Sequence, residues 1–248
     1  MPTEPAAPVT DPQLFSTQER LELSGPDAAA FAQAQFCNDS RELVAGAHQF
    51  GGWLDAKGRV QNFFRMSCLA PDRFQLQLRG GVAATMADGL RRFVFRSKLK
   101  IEVVADSSGE ISPELALAEI RAGIPRLPLA LGGELLTAWL DFERLGAISH
   151  KKGCYPGQEI VARMHFRGGN SRHLHRLRVV GAHNPTADLL RDAEDKEAGR
   201  VLQAVPLDGH SYEALAVLRD GFGERALHAQ SEAGAAIEVF STQWTAAP

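Results

Sequence analysis

Three short segments joined by two tight turns constrain this chain more than anything else in it. Gln49–Asp55, Val60–Leu69 and Phe74–Arg79 read as strands. Their joints, Asp55-Ala56-Lys57-Gly58 and Ala70-Pro71-Asp72, are built from turn formers, so the three form an antiparallel meander. Upstream, Leu21 and Leu23 alternate with polar residues as in a short strand. Ser24-Gly25-Pro26-Asp27 then opens a helix, with Pro in its first turn and Asp at the positive end of its dipole. Met86–Phe95 is helical by pattern and Leu99–Val104 returns to strand. A Ser-Ser-Gly turn precedes a helix at Glu114–Arg121, and Leu135–Leu145 is apolar enough for a buried helix or loop.

Beyond Arg172 the texture changes. Leu174–Val180, Ala198–Val205, Ala214–Leu218 and Ala236–Phe240 are short strands separated by Gly and Asp, the pattern of a small β-barrel or sandwich. The expected fold is therefore α+β. A Pro-rich tail spans residues 1–12, a mixed body spans 13–168, and a C-terminal barrel spans 171–248. The boundary falls at Arg167-Gly168-Gly169-Asn170.

The 248 residues, 44% of them hydrophobic and 23% charged, supply a buried core and exclude global disorder. Cys37, Cys68 and Cys154 are too few and too far apart for a disulfide framework or a CxxC ligand pair, so no tightly bound metal is expected. No apolar run approaches the ~20 residues of a membrane span. The opening MPTEPAAPVTDPQ lacks the basic and then apolar profile of a signal peptide. A cytoplasmic protein without membrane contact is expected.

The net charge of −3 hides a strong asymmetry. Lys57 to Lys100 holds ten Lys/Arg against two acids, and Arg144 to Arg178 holds eight against one. Two basic segments in an otherwise acidic chain either converge on an anionic partner or form two separate solvated faces. A nucleic acid is one such partner, although Phe63, Phe64, Phe93 and Phe95, interleaved with Arg, sit at the spacing of core residues rather than of a stacking platform.

Chemistry is densest at Lys151-Lys152-Gly153-Cys154-Tyr155-Pro156-Gly157-Gln158-Glu159. Pro156-Gly157 suits a type II turn, with a helix from Gln158 onward and Glu159 and Arg163 spaced for a surface ion pair. Cys154 would then sit just before a helix N-terminus and beside Lys152, both of which favour the thiolate. The alternative is a small buried cysteine in a connecting loop. His150 and His165 are near enough in sequence to serve a Cys-His hydrolase, but no orienting carboxylate is recognisable. His173 and His175 would share a strand face and could join Cys154 around a metal, although histidines at an Arg-rich strand start have simpler uses. Gly-rich nucleotide-binding fingerprints are absent.

Lys152-Gly153-Cys154-Tyr155-x-Gly157-Gln158-Glu159, with Val161-Ala162-Arg163 and Phe166-Arg167-Gly168, resembles the signature of the YgfZ-type folate-binding proteins. These are relatives of the glycine-cleavage T-protein, an aminomethyltransferase, and include an assembly factor for iron-sulfur proteins. Gln33-Ala34-Gln35-Phe36-Cys37-Asn38-Asp39, Asp55-Ala56-Lys57-Gly58-Arg59 and Ser97-Lys98-Leu99-Lys100-Ile101 resemble further family segments. The resemblance implies a T-protein-like body and a C-terminal barrel around a central hole that binds tetrahydrofolate, where both basic segments could meet the glutamate tail. It implies Lys152 and Cys154 as the reactive pair. Tyr155, Gly157, Gln158, Glu159 and Arg163 would contact folate from one wall, and Gln35, Asn38, Asp39 and Asp55 from the other.

The chain also departs from the T-protein pattern. Where T-proteins carry an acid past the Lys-Gly turn, this chain has Asn62 and Phe63, and neither can take a proton. Arg121-Ala122-Gly123 stands where a Glu-Ala-Gly segment helps to hold the pterin. Gln18 and Leu115 fall near the offsets of folate-contacting tryptophans, and the span from Ile101 to Ile124 is short, implying a reduced central subdomain. The implied function is a tetrahydrofolate-binding accessory protein for iron-sulfur enzymes, including tRNA-modifying ones, with those enzymes or their assembly machinery as partners. The alternative is a folate-dependent one-carbon transferase.

Overall fold

The computed structural model describes residues 19–104, 111–223, 225–232, 234–240 and 244–245. The expected tail at 1–12, Gln18 and the Ser-Ser-Gly turn lie outside the described residues. The first half runs β1 (Arg20–Ser24), α1 (Ala28–Gln35), β2 (His48–Leu54), β3 (Val60–Ala70), β4 (Arg73–Leu78), α2 (Ala83–Arg91), β5 (Lys100–Val104) and α3 (Pro113–Arg121). After a long irregular stretch come α4 (Gln158–Arg167), β6 (Arg172–Val180), β7 (Leu189–Asp192), β8 (Glu197–Asp208), β9 (Ser211–Arg219), β10 (Leu227–Ala229) and β11 (Ala236–Val239).

The meander is the centre of a five-stranded antiparallel sheet in the order β2-β3-β4-β1-β5. Side chains alternate across a strand, so neighbours in β3 serve different cores. Phe64, Met66 and Cys68 face α1 and α2 together with Phe36, Phe74 and Leu90. Phe63 points the other way, between the rings of Phe50 and Phe142 at centroid distances of 5.3 and 4.8 Å. On that face it joins Ile120 and Leu140 and, from the second sheet, Leu174, Leu202, Val205, Leu215 and Val217. One apolar core thus belongs to both sheets.

The second sheet has six strands in the order β10-β7-β8-β9-β6-β11, and its two outer strands approach each other to make a nearly closed barrel. The expectation of an α+β fold with a barrel-like C-terminal sheet holds. Gly168 and Gly169, both with positive φ, turn the chain from α4 into β6.

Local differences have local causes. The second helix runs Ala83–Arg91 rather than Met86–Phe95. Phe93 and Phe95 therefore lie past its end, where no helical face carries them inward, and they are exposed, while Phe63 and Phe64 are core. Asp27 is the N-cap of α1, as its place at the positive end of the dipole implies, but its carboxylate accepts from the Lys98 backbone N–H at 2.6 Å instead of from the helix and ties the helix start to the segment before β5. Leu135–Leu145 yields a single 3-10 turn at Thr137–Leu140, ended by Asp141 in a left-handed conformation. Among the described residues no helix is long and apolar enough to cross a membrane.

Candidate functional site

The loop before α4 is strapped to the end of α1. Phe36 bridges to Trp53 of β2, and the Cys37 N–H donates to Gly52 O at 3.0 Å. The Cys37 carbonyl accepts from Ser149 N at 2.9 Å, and its thiol donates to Ala147 O at 3.2 Å. Lys152 then reaches back under the loop. Its ammonium donates to Phe36 O and, at 2.9 Å, to Asn38 O, and it lies 5.2 Å from the Tyr155 ring centroid. Burial pulls the Lys152 ammonium from an ordinary 10.5 down to about 8, with Cys37 resisting. Burial likewise pushes the Cys37 thiol from 9.0 up to about 12, opposed by the Gly52 contact and by Lys152.

This geometry corrects one expectation. The Lys152 ammonium does not stand over Cys154: it is buried against carbonyls, whereas Cys154 is exposed. Cys154 lies just before α4, as expected, three residues ahead of the N-cap Gly157. The expected turn at Pro156-Gly157 is present, with Gly157 at φ +82°.

The stretches 36–39, 55–58 and 152–157 come together. A Cβ on Gly157 would fall 2.5 Å from Asp55 O and 2.7 Å from Gly58 Cα, so the loop rests directly on the β2–β3 turn. Asp55 shapes that turn by accepting from the N–H groups of Lys57 and Arg59 at 2.8 and 2.9 Å. Asp39 is committed to Arg41, whose guanidinium gives two hydrogen bonds to the carboxylate and holds it down to about 2. Arg121 pairs with Glu213 of β9 at 2.9 Å. Among the described residues, the buried Asn38 amide, Tyr155 hydroxyl and Gln35 Oε1 have no hydrogen-bond partner. Glu159 and Arg163 are exposed on α4, and Gln158 is partly covered.

A cavity of about 940 Å³ opens between the second sheet and the 138–144 segment, with Arg144, His173, His175, Arg219, Phe240 and Trp244 in its wall. Arg144 donates to the carbonyls of Ala122 and Gly123 and lies 5.1 Å over the Trp244 ring. Burial, then the neighbouring His173, pushes His175 down. A second cavity, of about 340 Å³, shares Asp141 and His173 with the first and extends to His150, Val161 and His165. The expected site residues line neither. Of the two basic segments, Arg144 from the second reaches the large cavity, while Arg65 and Arg79 from the first line a separate one. Sequence reading missed Arg219, Phe240 and Trp244 because a barrel rim and a chain end carry no motif.

The fold is similar to that of the glycine cleavage system aminomethyltransferase T from Bartonella henselae. The TM-score is 0.64 at 14% identity, with 90% of this chain and 83% of that one covered. In sequence the chain is similar to a Haemophilus influenzae protein described as uncharacterized, 25% identical over 230 residues, covering 76% of this chain and 82% of that protein. No family model matches.

Lys152→Met should remove a pH effect. The unfolded chain holds this proton more tightly than the native state, so wild-type stability rises as pH climbs above about 8. From pH 9 the raised Cys37 thiol acts in the opposite sense. One proton gives at most about 1.4 kcal/mol per pH unit. Urea unfolding between pH 7.5 and 9 should show the rise in wild type and a flatter profile in the variant; identical profiles would refute the assignment.

Proposed function

We propose that this protein is a tetrahydrofolate-binding accessory factor for iron-sulfur enzymes. The observation that carries the reading is the large cavity, whose volume of about 940 Å³ suits a folate-sized ligand. Its wall offers what such a ligand needs. Trp244 and Phe240 supply aromatic rings that planar groups can pack against, and Arg144 and Arg219 supply cations for the glutamate carboxylates, which would have to compete with Asp141 for Arg144 and with Glu197 for Arg219. When bound, tetrahydrofolate supplies a carrier for one-carbon groups.

Around it, this chain's residues orient and expose. Lys152 and the Asp55–Gly58 turn hold the loop, and Cys154 presents its thiol to solvent, where a client protein can reach it. None of the contacts expected from sequence lines this cavity: Gln35, Asn38 and Tyr155 keep free hydrogen-bonding capacity beside the loop, whereas Asp39 and Asp55 spend theirs on Arg41 and on the turn. Gln158, Glu159 and Arg163 lie on α4, outside that wall.

The one-carbon transferase reading is less favoured. Asn62 is buried beside Gly81, and Phe63 is sealed in the core, so no proton acceptor follows the turn. An RNA-binding module would show a log-log salt slope of roughly −0.7 per neutralised phosphate.

Anaerobic calorimetry with tetrahydrofolate should give saturable binding that weakens about tenfold or more in Arg219→Ala and Trp244→Leu, a loss of at least ~1.4 kcal/mol. Absence of heat with wild type would reject the folate part. In cells lacking the native factor, Cys154→Ala should fail to restore iron-sulfur enzyme activity; full rescue would reject the thiol's role.

A further inference from the structure

Outside that ligand site, three side chains converge in a way that ordinary surface pairing does not require. Glu143 follows the 3-10 turn, His150 lies seven residues on, and His165 comes from the third turn of α4. His150 Nε2 lies 2.9 Å and His165 Nδ1 lies 2.8 Å from the same oxygen, Oε1 of Glu143. The two imidazoles stack at a centroid distance of 3.8 Å and an interplanar angle of 19°. All three ligand atoms lie within 4.8 Å of one another. We propose that Glu143, His150 and His165 form a binding site for a first-row transition-metal dication.

The donor set selects the class of ion. Two imidazole nitrogens and one carboxylate oxygen suit zinc or ferrous iron; calcium and magnesium prefer oxygen alone. Metal–nitrogen bonds of about 2.0–2.1 Å place neighbouring ligands of a tetrahedral ion roughly 3.3 Å apart, so each imidazole must draw back from Glu143 by about half an ångström and the stacked rings must turn until both in-plane lone pairs aim at one ion. The tautomers follow. Each ring gives its lone pair at the nitrogen that faces Glu143 and keeps its proton on the other nitrogen.

The site borders the smaller cavity, whose wall also holds Met164 and His173. Three protein ligands with a cavity in front leave a coordination position for water or a small anion, the arrangement of an open site rather than a closed structural one. Its place in the chain gives it a second effect. Glu143 and His150 precede the Lys152–Gly157 loop and His165 follows it, so a bound ion clips together both ends of the loop that exposes Cys154. The inference stands apart from the folate reading, since neither the site nor its test involves the large cavity.

The test uses the full-length chain, stripped with a chelator and titrated with Co²⁺ while visible ligand-field bands are followed. Competition with Zn²⁺ follows the cobalt titration, and an anaerobic arm uses Fe²⁺. One ion per chain is expected, with a rise in melting temperature on saturation. Loss of even an outer partner weakens metal sites about 10–100-fold, so His150→Ala/His165→Ala should weaken binding at least that much, and Glu143→Gln should reduce it less. His228→Ala is the control and should match wild type. Metal content after anaerobic purification without chelator separates zinc from iron. No stoichiometric cobalt binding, or a double variant whose titration superimposes on wild type, would overturn the proposal.

Discussion

Glu119→Ala should lower stability by about 3–5 kcal/mol, the cost of leaving a buried ion cluster without its anion. Glu119 projects from α3 between two arginines. Arg79 Nη1 donates to it at 2.9 Å, and the Arg126 guanidinium reaches it at 2.8 Å. Arg79 is locked in place as well, since its Nε donates to Pro125 O at 3.1 Å and its guanidinium lies over the rings of Phe50 and Phe63. Both cations are largely buried, so losing the carboxylate leaves their charge poorly compensated. Burial, and then the neighbouring Arg79, pulls Arg126 down to about 10 against the pull of Glu119.

The same cluster dictates an acid response. Burial tends to raise the Glu119 carboxyl, but Arg79 and then Arg126 outweigh it, and the net displacement is downward. A carboxyl held down in the native state contributes stability above its unfolded value and loses it as pH falls through the native one. Chemical denaturation at pH 7 and pH 4 should show a smaller wild-type-to-Glu119→Gln difference at the lower pH. A Glu119→Ala variant within 1 kcal/mol of wild type would show that the arginines find other partners.

Gly157→Val should have the second-largest effect, and its readout is local. A valine at φ +82° carries a backbone penalty of about 1–3 kcal/mol. Its Cβ would also collide with Asp55 O and Gly58 Cα, which are backbone atoms and cannot rotate away. The loop must lift off the β2–β3 turn, taking the Lys152 brace with it. Expected results are a stability loss of at least about 2 kcal/mol and faster amide exchange across residues 152–160. Unchanged exchange there would mean that the contact does not hold the loop.

Turn chemistry made much of the first sheet readable. Asp55 and Gly58 announced the β2–β3 joint, and the same Asp55 carboxylate is what fastens it. Strands β7 and β10 were not legible, because four and three residues are too short to display alternation. The Lys152-Cys154 stretch was visible as a motif, yet the direction of Lys152 was not. It depends on carbonyls at Phe36 and Asn38, more than a hundred positions away. The surroundings of Cys37 were hidden for a similar reason, since its neighbours come from β2 and from the 147–152 segment. The Glu143, His150 and His165 convergence left no local signature, because the carboxylate lies seven and twenty-two residues from its partners.

The apolar core common to both sheets makes folding a late commitment. Phe63, Ile120 and Leu140 find part of their cover only in Leu174, Leu202, Val205, Leu215 and Val217, residues made far downstream. During synthesis the first sheet must therefore wait, with one face wet, until the barrel strands emerge. Contacts at that separation close slowly. The half-made chain is then the state most exposed to misassociation, and the finished one should melt as a single unit.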